Sequence, residues 1–280
     1  SGGCVGAVQV DCGGSRGAGM SESKRSPIKD KPLRTPGQSL EEERRAIWDD
    51  KVEPWVLSAL FLLLLVAWEW LRYFHPLPTT PWVVTVCAIA LMGFAAWRFL
   101  RLLPTIRQLR QGAEGEKAVG QFLERLRGEG YQVFHDIVAD GFNIDHVLIG
   151  PAGVFTVETK TWSKPMRGDA RVSYDGTTLL VAGWAPDRNP VVAAKSQARW
   201  LKALLADTTG RQLPVRPVVV VPGWYVEATP GSQREVWVME PKGLPAFLGA
   251  EDARLEAADV KLAAFHLGRF IRSVERERAA

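Results

Sequence analysis

Asp145, Glu158 and Lys160 are the residues whose types and spacing could do chemistry together. They belong to the stretch Asn143-Ile144-Asp145-His146-Val147-Leu148-Ile149-Gly150-Pro151-Ala152-Gly153-Val154-Phe155-Thr156-Val157-Glu158-Thr159-Lys160. β-Branched and aromatic residues flank Gly150-Pro151-Ala152-Gly153, which predicts two strands joined by a tight turn. A symmetric turn sets Ile149 opposite Val154 and, counting outward, Asp145 opposite Glu158. Directly opposed Cβ atoms lie ~4.5–5.5 Å apart, where like charges repel. Strand alternation puts Glu158 and Lys160 on one face and Thr159 on the other. Two carboxylates and an amine then converge, which is costly unless a divalent cation sits between the acids.

That pattern suits a metal-dependent phosphodiesterase. One or two carboxylates hold Mg²⁺ (or Mn²⁺) while leaving room for water and a phosphate. The cation activates water and offsets charge, and a nearby ammonium can hold or deprotonate that water. Each residue also has a plainer reading. Asp145 could be a strand-start acid bonded to a loop, and Lys160 could neutralise Glu158 as a structural ion pair. One amine cannot balance two acids, however, and that favours a metal.

The segment resembles the nuclease-related domain (NERD) family, a branch of the restriction-endonuclease-like nucleases with an Asp…Glu-x-Lys core. The resemblance runs from about Gly112 to Val226. It rests on Gly115-Glu116-Lys117-Ala118-Val119, Asn143-Ile144-Asp145-His146, Gly153-Val154-Phe155, Glu158-Thr159-Lys160, Asn189-Pro190 and Val219-Val220-Val221-Pro222-Gly223-Trp224. A lone Glu-x-Lys would be weak; the ordered set is much more specific. The resemblance implies a nuclease acting on nucleic acid, DNA ahead of RNA, with Asp145 and Glu158 as metal ligands. It implies Lys160 at the attacking water and Glu116 as a third carboxylate. A helix-start acid can also simply complement the helix dipole. Gln197, on a later helix, could contact phosphate or water, or lie on a solvated face. A nuclease fold without catalysis, binding nucleic acid or a protein at a membrane, is the alternative reading.

The elements that must position these groups follow from periodicity. Ala118, Val119, Phe122, Leu123 and Leu126 share one helical face over Glu116–Leu126, with Gly128 and Gly130 stopping the helix. Tyr131–Ile137 reads as a strand. Val147, Ile149 and Val154 on one face of the central hairpin, and Leu148, Phe155 and Val157 on the other, predict a sheet covered on both sides. Arg171–Val181 suggests a second hairpin around Asp175-Gly176. Asn189 and Pro190 open a helix to about Ala206. Pro217–Val221 and Glu235–Met239 read as strands, and Ala257–Val274 as a terminal helix. His146 should point away from Asp145, as a packed or surface histidine. Lys164, Arg167 and Arg171 could meet a phosphate backbone or simply be solvated. Trp184, Trp200, Trp224 and Trp237 read as packing residues and not as base-stacking platforms.

Before this domain the composition changes abruptly. Trp55–Leu71 and Trp82–Leu100 are almost wholly apolar, and a Pro-rich turn, His75–Pro81, joins them. A spanning helix needs ~20 apolar residues, and Trp55, Trp68, Trp70, Tyr73, Trp82 and Trp97 sit where an interfacial belt would place them. A buried helical hairpin of a soluble domain is the bland alternative. Arg44, Arg45 and Lys51 precede the first span, and Arg98, Arg101, Arg107 and Arg110 follow the second, whereas the loop region has Arg72. The positive-inside bias therefore predicts both termini in the cytosol. Ser39 with Glu42 reads as a capping box for a charged helix, Leu40–Lys51. Ser1–Gln38 reads as disordered, and Ser1–Gly19, ahead of Met20, as a start-site artefact.

The expected architecture is α/β: a restriction-endonuclease-like mixed sheet with helices on both faces, preceded by a two-helix transmembrane hairpin. The expected divisions are a charged and disordered segment (1–53), two spans of about 55–73 and 82–100 within 54–103, a nuclease-like domain (112–228) and a C-terminal strand and helix (229–280). With 35 Lys and Arg against 31 Asp and Glu, the net charge of +4 permits contact with phosphates or anionic lipid without demanding it. Cys4, Cys12 and Cys87 make no zinc or disulfide framework, the four histidines are scattered, and no signal-peptide pattern is present.

Overall fold

A computed structural model describes residues 33–75, 81–164 and 170–279. The expected disorder of residues 1–32, the centre of the Pro-rich turn (76–80) and the candidate phosphate contact Arg167 lie outside the described residues.

The central hairpin sets the frame. Strands β2 (Phe142–Gly150) and β3 (Gly153–Thr159) pair with Ile149 opposite Val154 and His146 opposite Val157. Its Gly-Pro turn is fixed by packing as well as by backbone freedom. A Cβ on Gly150 would lie 2.2 Å from the Tyr131 ring, so only glycine lets that ring close over the turn. Strand β1 (Gln132–Ala139) adds antiparallel to β2 through a two-residue turn, Asp140-Gly141, with Gly141 at φ 81°. Asp-Gly suits such a turn because the glycine takes the positive φ without a steric penalty, while Asp140 keeps an ordinary negative φ. Beyond β3 the sheet turns parallel. The order is β1-β2-β3-β6-β8, where β6 is Val215–Val220 and β8 is Trp237–Met239. A small second sheet, β5-β4-β7, contains the expected 171–181 hairpin (β4 Arg171–Tyr174, β5 Leu179–Val181) and β7 (Tyr225–Ala228), a strand the sequence reading lacked.

Helices cover both faces of the main sheet, as its two-sided apolar pattern requires. Val119 and Leu123 of α3 (Pro81–Leu123) pack with Leu148, Phe155, Val157, Val218 and Val220. Leu201 and Leu205 of α4 (Pro190–Thr209), with Val260, Ala263, Leu267 and Ile271 of α6 (Ala257–Ala279), cover Val147, Ile149 and Val154. Asn189 caps α4 through its side-chain oxygen on the Val191 N–H (3.0 Å), and Pro190 occupies the first turn. A short helix, α5 (Leu244–Ala250), lies between β8 and α6.

The apolar runs form α2 (Glu53–Phe74) and the first half of α3 (Pro81–Leu123). Their windows are long and apolar enough to cross a membrane, and they are almost entirely unburied within the protein. Phe61, Leu64, Val86 and Ile89 are each at least 60% exposed, which is not how a core hairpin of a soluble domain presents itself. The spans expected at about 55–73 and 82–100 lie inside these helices, but the second does not end there. α3 continues without a break through Pro104 to Leu123, so one helix carries both the second apolar run and Glu116.

The N-terminal segment departs from expectation. α1 (Gln38–Lys51) starts after Gly37, and its first turn has no side-chain cap. Ser39 instead gives its hydroxyl and backbone N–H to Asp136, at 2.5 and 2.9 Å. Arg34, in the stretch expected to be disordered, is buried and donates to Asp136 (2.7 Å) and Glu42 (2.8 Å). A buried acid that needs a cation orders the chain where composition alone predicts none. Trp184 is also exposed, against the packing role expected of it. Trp200, Trp224 and Trp237 are packed: Trp237 stacks on Phe155, and the Trp224 indole donates to the Trp162 carbonyl.

Candidate metal centre

The carboxylates converge where β3 ends. Continuing the β2–β3 register places Asp145 opposite Glu158, and Asp145 Oδ2 accepts the backbone N–H of Thr159 at 2.7 Å. Both oxygens of Glu158 are engaged. Oε1 pairs with Lys160 Nζ at 2.6 Å, and Oε2 accepts from Gln197 Nε2 at 2.6 Å. The same Gln197 nitrogen donates to the Asn143 carbonyl at 3.1 Å, tying α4 to the start of β2. Glu116 enters from α3 on the other face, and it is buried. Its neighbour Gly115 makes this approach possible, since a Cβ there would sit 1.8 Å from Thr161 Oγ1.

The electrostatics are those of a crowded acidic pocket. Burial, then Glu158 and Glu116, push Asp145 well above the ordinary carboxylate range, against Lys160 and the Thr159 N–H. Burial, then Asp136 and Glu158, raise Glu116 to about 7, partly offset by Lys160 and by the Gly37 N–H. Burial works against the charged form of Lys160, but Glu158, Asp145 and Glu116 outweigh it and raise its pKa. Lys160 is therefore an ammonium at neutral pH, suited to holding water or phosphate and not to removing a proton.

These residues fit a hard divalent cation. Three carboxyl groups share the pocket with one ammonium, so the protein supplies fewer cationic groups there than acidic ones. Gln197 Oε1, Thr159 Oγ1 and Thr161 Oγ1, on residues of this cluster or next to it, are buried without a protein hydrogen-bond partner. Among the described residues no group of three or more His, Cys, Asp or Glu side chains is arranged to hold an ion. An ion held here would therefore have at most two carboxylates from the protein and would need water for its other positions.

Asp136 belongs to this neighbourhood and was missed from sequence. Its strand partners are His135–His146 and Ile137–Ile144, so it stands opposite Asp145 and lines up Asp136, Asp145 and Glu158 across three strands. Its φ of 50° is a rare conformation for a non-glycine residue, and its carboxylate is bound to Arg34 and Ser39. Counting back from Asp140-Gly141 would have found the alignment. His146 is fully buried, its Nδ1 2.9 Å from that of His135. Burial, then His135, holds its pKa well below normal, so it stays neutral. Of the basic candidates, Arg171 pairs with Glu227 at 2.9 Å, and Lys164 lies over the Trp224 ring.

Comparison with known proteins bears on this arrangement. Residues 111–222 match the family model of the nuclease-related domain. This part of the chain is a NERD domain. The match takes in every residue of the acidic cluster: Glu116, Asp145, Glu158, Lys160 and Gln197. An uncharacterized protein of Bacillus anthracis is 34% identical over 68 residues, which cover 22% of this chain and 32% of that protein. The chain thus spans about a third of that relative. No solved structure gives a significant match. A NERD domain points to nuclease-like chemistry on nucleic acid.

Proposed function

We propose that the protein is a membrane-anchored nuclease that hydrolyses phosphodiester bonds with Mg²⁺ or Mn²⁺. The observation that carries this reading is the convergence of Asp145, Glu158 and Glu116 on Lys160, inside a domain related to nucleases. Asp145 and Glu158 would hold the cation, which when bound makes water a better nucleophile and offsets charge on the phosphate. Lys160 Nζ, held by Glu158, presents its remaining protons to the attacking water or a phosphate oxygen. Gln197 fixes the Glu158 carboxylate and keeps an unused oxygen for a water proton. Glu116, with its pKa near 7, can hold or release a proton at the pH of the cytosol. The exposed apolar faces of α2 and α3 support the anchor, and the flanking arginines support cytosolic termini.

A second reading has its own observation. Lys160 and Gln197 already satisfy both Glu158 oxygens, as a purely structural network would. The two readings separate in one experiment. The full chain in detergent is offered plasmid DNA and RNA with and without Mg²⁺ and chelator, and calorimetry follows Mg²⁺ binding. The nuclease reading expects metal-dependent cleavage, lost in Asp145→Ala and in Lys160→Ala, and Mg²⁺ binding that the Asp145→Ala/Glu158→Ala double variant lacks. Cleavage that survives chelator and both single substitutions would refute it.

A further inference from the structure

Two adjoining cavities, of about 310 and 410 Å³, share Lys202, Val215, Pro217 and Glu235 and so form one groove between α4 and the start of β6. Its cations are Lys195, Arg199, Lys202, Arg216, Arg234 and Arg254. Lys195, Arg199 and Lys202 follow one another at helical spacing along α4, on the side away from Gln197. Two acids answer them: Glu235 pairs with Lys195, and Glu251 with Arg254 and Arg216. Six cations against two acids leave a surplus of four, equal to the formal charge of +4 on the whole chain. The protein's net positive charge is thus matched by this one concave surface. Lys202 and the Arg234 guanidinium, both exposed, have no acidic partner among the described residues.

We propose that this groove binds the sugar–phosphate backbone of nucleic acid, and that a strand seated there runs on toward the acidic centre. Groove and centre share two elements. Gly153–Phe155 of β3 line the groove and Glu158 lies further along the same strand, ~10–17 Å away at ~3.3 Å per residue. That is about three to five phosphate steps along one strand of a duplex. No Asn or Gln side chain lines the groove, so it grips phosphates in preference to reading base edges.

Lipid is the other abundant polyphosphate surface near this protein, and the fold places the groove away from it. α3 leads from the membrane-side Arg98 past Glu116 and on to Leu123, ~37 Å along its axis at ~1.5 Å per residue. Leu123 and Leu126 pack in the same core as Ala152, which lines the groove. Attraction to headgroups is screened over ~8–10 Å at physiological salt. The acidic centre, level with Glu116, lies between the membrane and the groove, so nucleic acid approaches from the membrane-distal side.

The identity of the polyanion rests on the nuclease reading; the test keeps the two separable. The full chain in nanodiscs of zwitterionic lipid, in EDTA so that nothing is cleaved, is titrated onto a short fluorescein-labelled duplex DNA at several salt concentrations. Lys202→Glu/Arg234→Glu should weaken binding roughly tenfold or more and flatten the salt dependence of log K by about 2. Lys261→Glu/Arg272→Glu, the same charge change at exposed positions on α6, should leave both nearly unchanged. Wild-type affinity and slope in Lys202→Glu/Arg234→Glu, or an equal loss in the α6 variant, would overturn the assignment. So would intact duplex binding with a weakened hold on phosphatidylglycerol vesicles, which would make the groove a lipid site. A failure here leaves the acidic centre standing, and a protein that binds duplex through the groove yet never cleaves it leaves the groove standing.

Discussion

Replacing Glu116 by Gln should stabilise the metal-free protein, and the structure sets both the size and the pH window of the effect. Glu116 is buried, and its carboxyl is raised to about 7, first by burial and then by Asp136 and Glu158. In the unfolded chain it titrates near 4.5, as an ordinary glutamate does. The folded state therefore holds more protons than the unfolded one between these values, and stability falls as pH rises through that interval. Below it both states are protonated and no penalty exists; above it the whole penalty is present. At about 1.4 kcal/mol for each tenfold change in proton affinity, the ionised form costs roughly 3 kcal/mol. Glutamine keeps the shape and the acceptor oxygen that faces the Gly37 N–H, but never carries the charge. At pH 8 in EDTA, Glu116→Gln should melt about 6–12 °C above the wild type, taking ~2–4 °C per kcal/mol for a domain of this size. At pH 5, still just inside that interval, the gap should close to about a quarter of that. Mg²⁺ at pH 8 should narrow it too, because a cation relieves the repulsion that the substitution removes. Thermal unfolding of the detergent-solubilised chain, followed by tryptophan fluorescence, reads all three conditions. Equal melting at pH 8, or a difference that does not change with pH, would show that Glu116 feels no acidic neighbours, and the convergent-acid account would fall with it.

The remaining expectations are more direct. Asp145→Ala and Lys160→Ala should each lower Mg²⁺-dependent cleavage by ~100-fold or more in a plasmid assay, the scale of losing one preorganised charge-stabilising group. Gln197→Leu removes the donor shared by Glu158 and the Asn143 carbonyl. It should cost ~1–3 kcal/mol for the acceptors left unpaired and weaken Mg²⁺ about tenfold by calorimetry. Arg34→Ala leaves buried Asp136 with only Ser39 as partner. It should destabilise by roughly 3 kcal/mol and speed hydrogen exchange across residues 33–51, while Arg34→Lys recovers part of the loss.

What the sequence determined by itself was local. The symmetric Gly-Pro turn and the period-two alternation were enough to oppose Asp145 to Glu158 and to put Lys160 beside it, because register in a tight hairpin follows from counting. The apolar runs announced two helices whose exposed faces suit lipid, and Asn189-Pro190 announced the start of α4. Tertiary structure decided what no local count reaches. Arg34 lies more than a hundred residues from Asp136 in sequence, so the order of the N-terminal strap exists only once the sheet has formed and its acid needs a cation. The junction between span and domain could not be read either, because Gly112, Gly115 and Pro104 suggest a linker where tertiary contacts sustain one continuous helix. Gly115 is instead the small residue that lets α3 close on Thr161 and deliver Glu116. The basic groove likewise gathers residues of α4, β6 and the segments around β8 and α5 that share no pattern along the chain. Hydrogen-bond register and hydrophobic period act over a few residues and leave a trace in sequence; charge compensation and close packing act between segments that only folding makes neighbours.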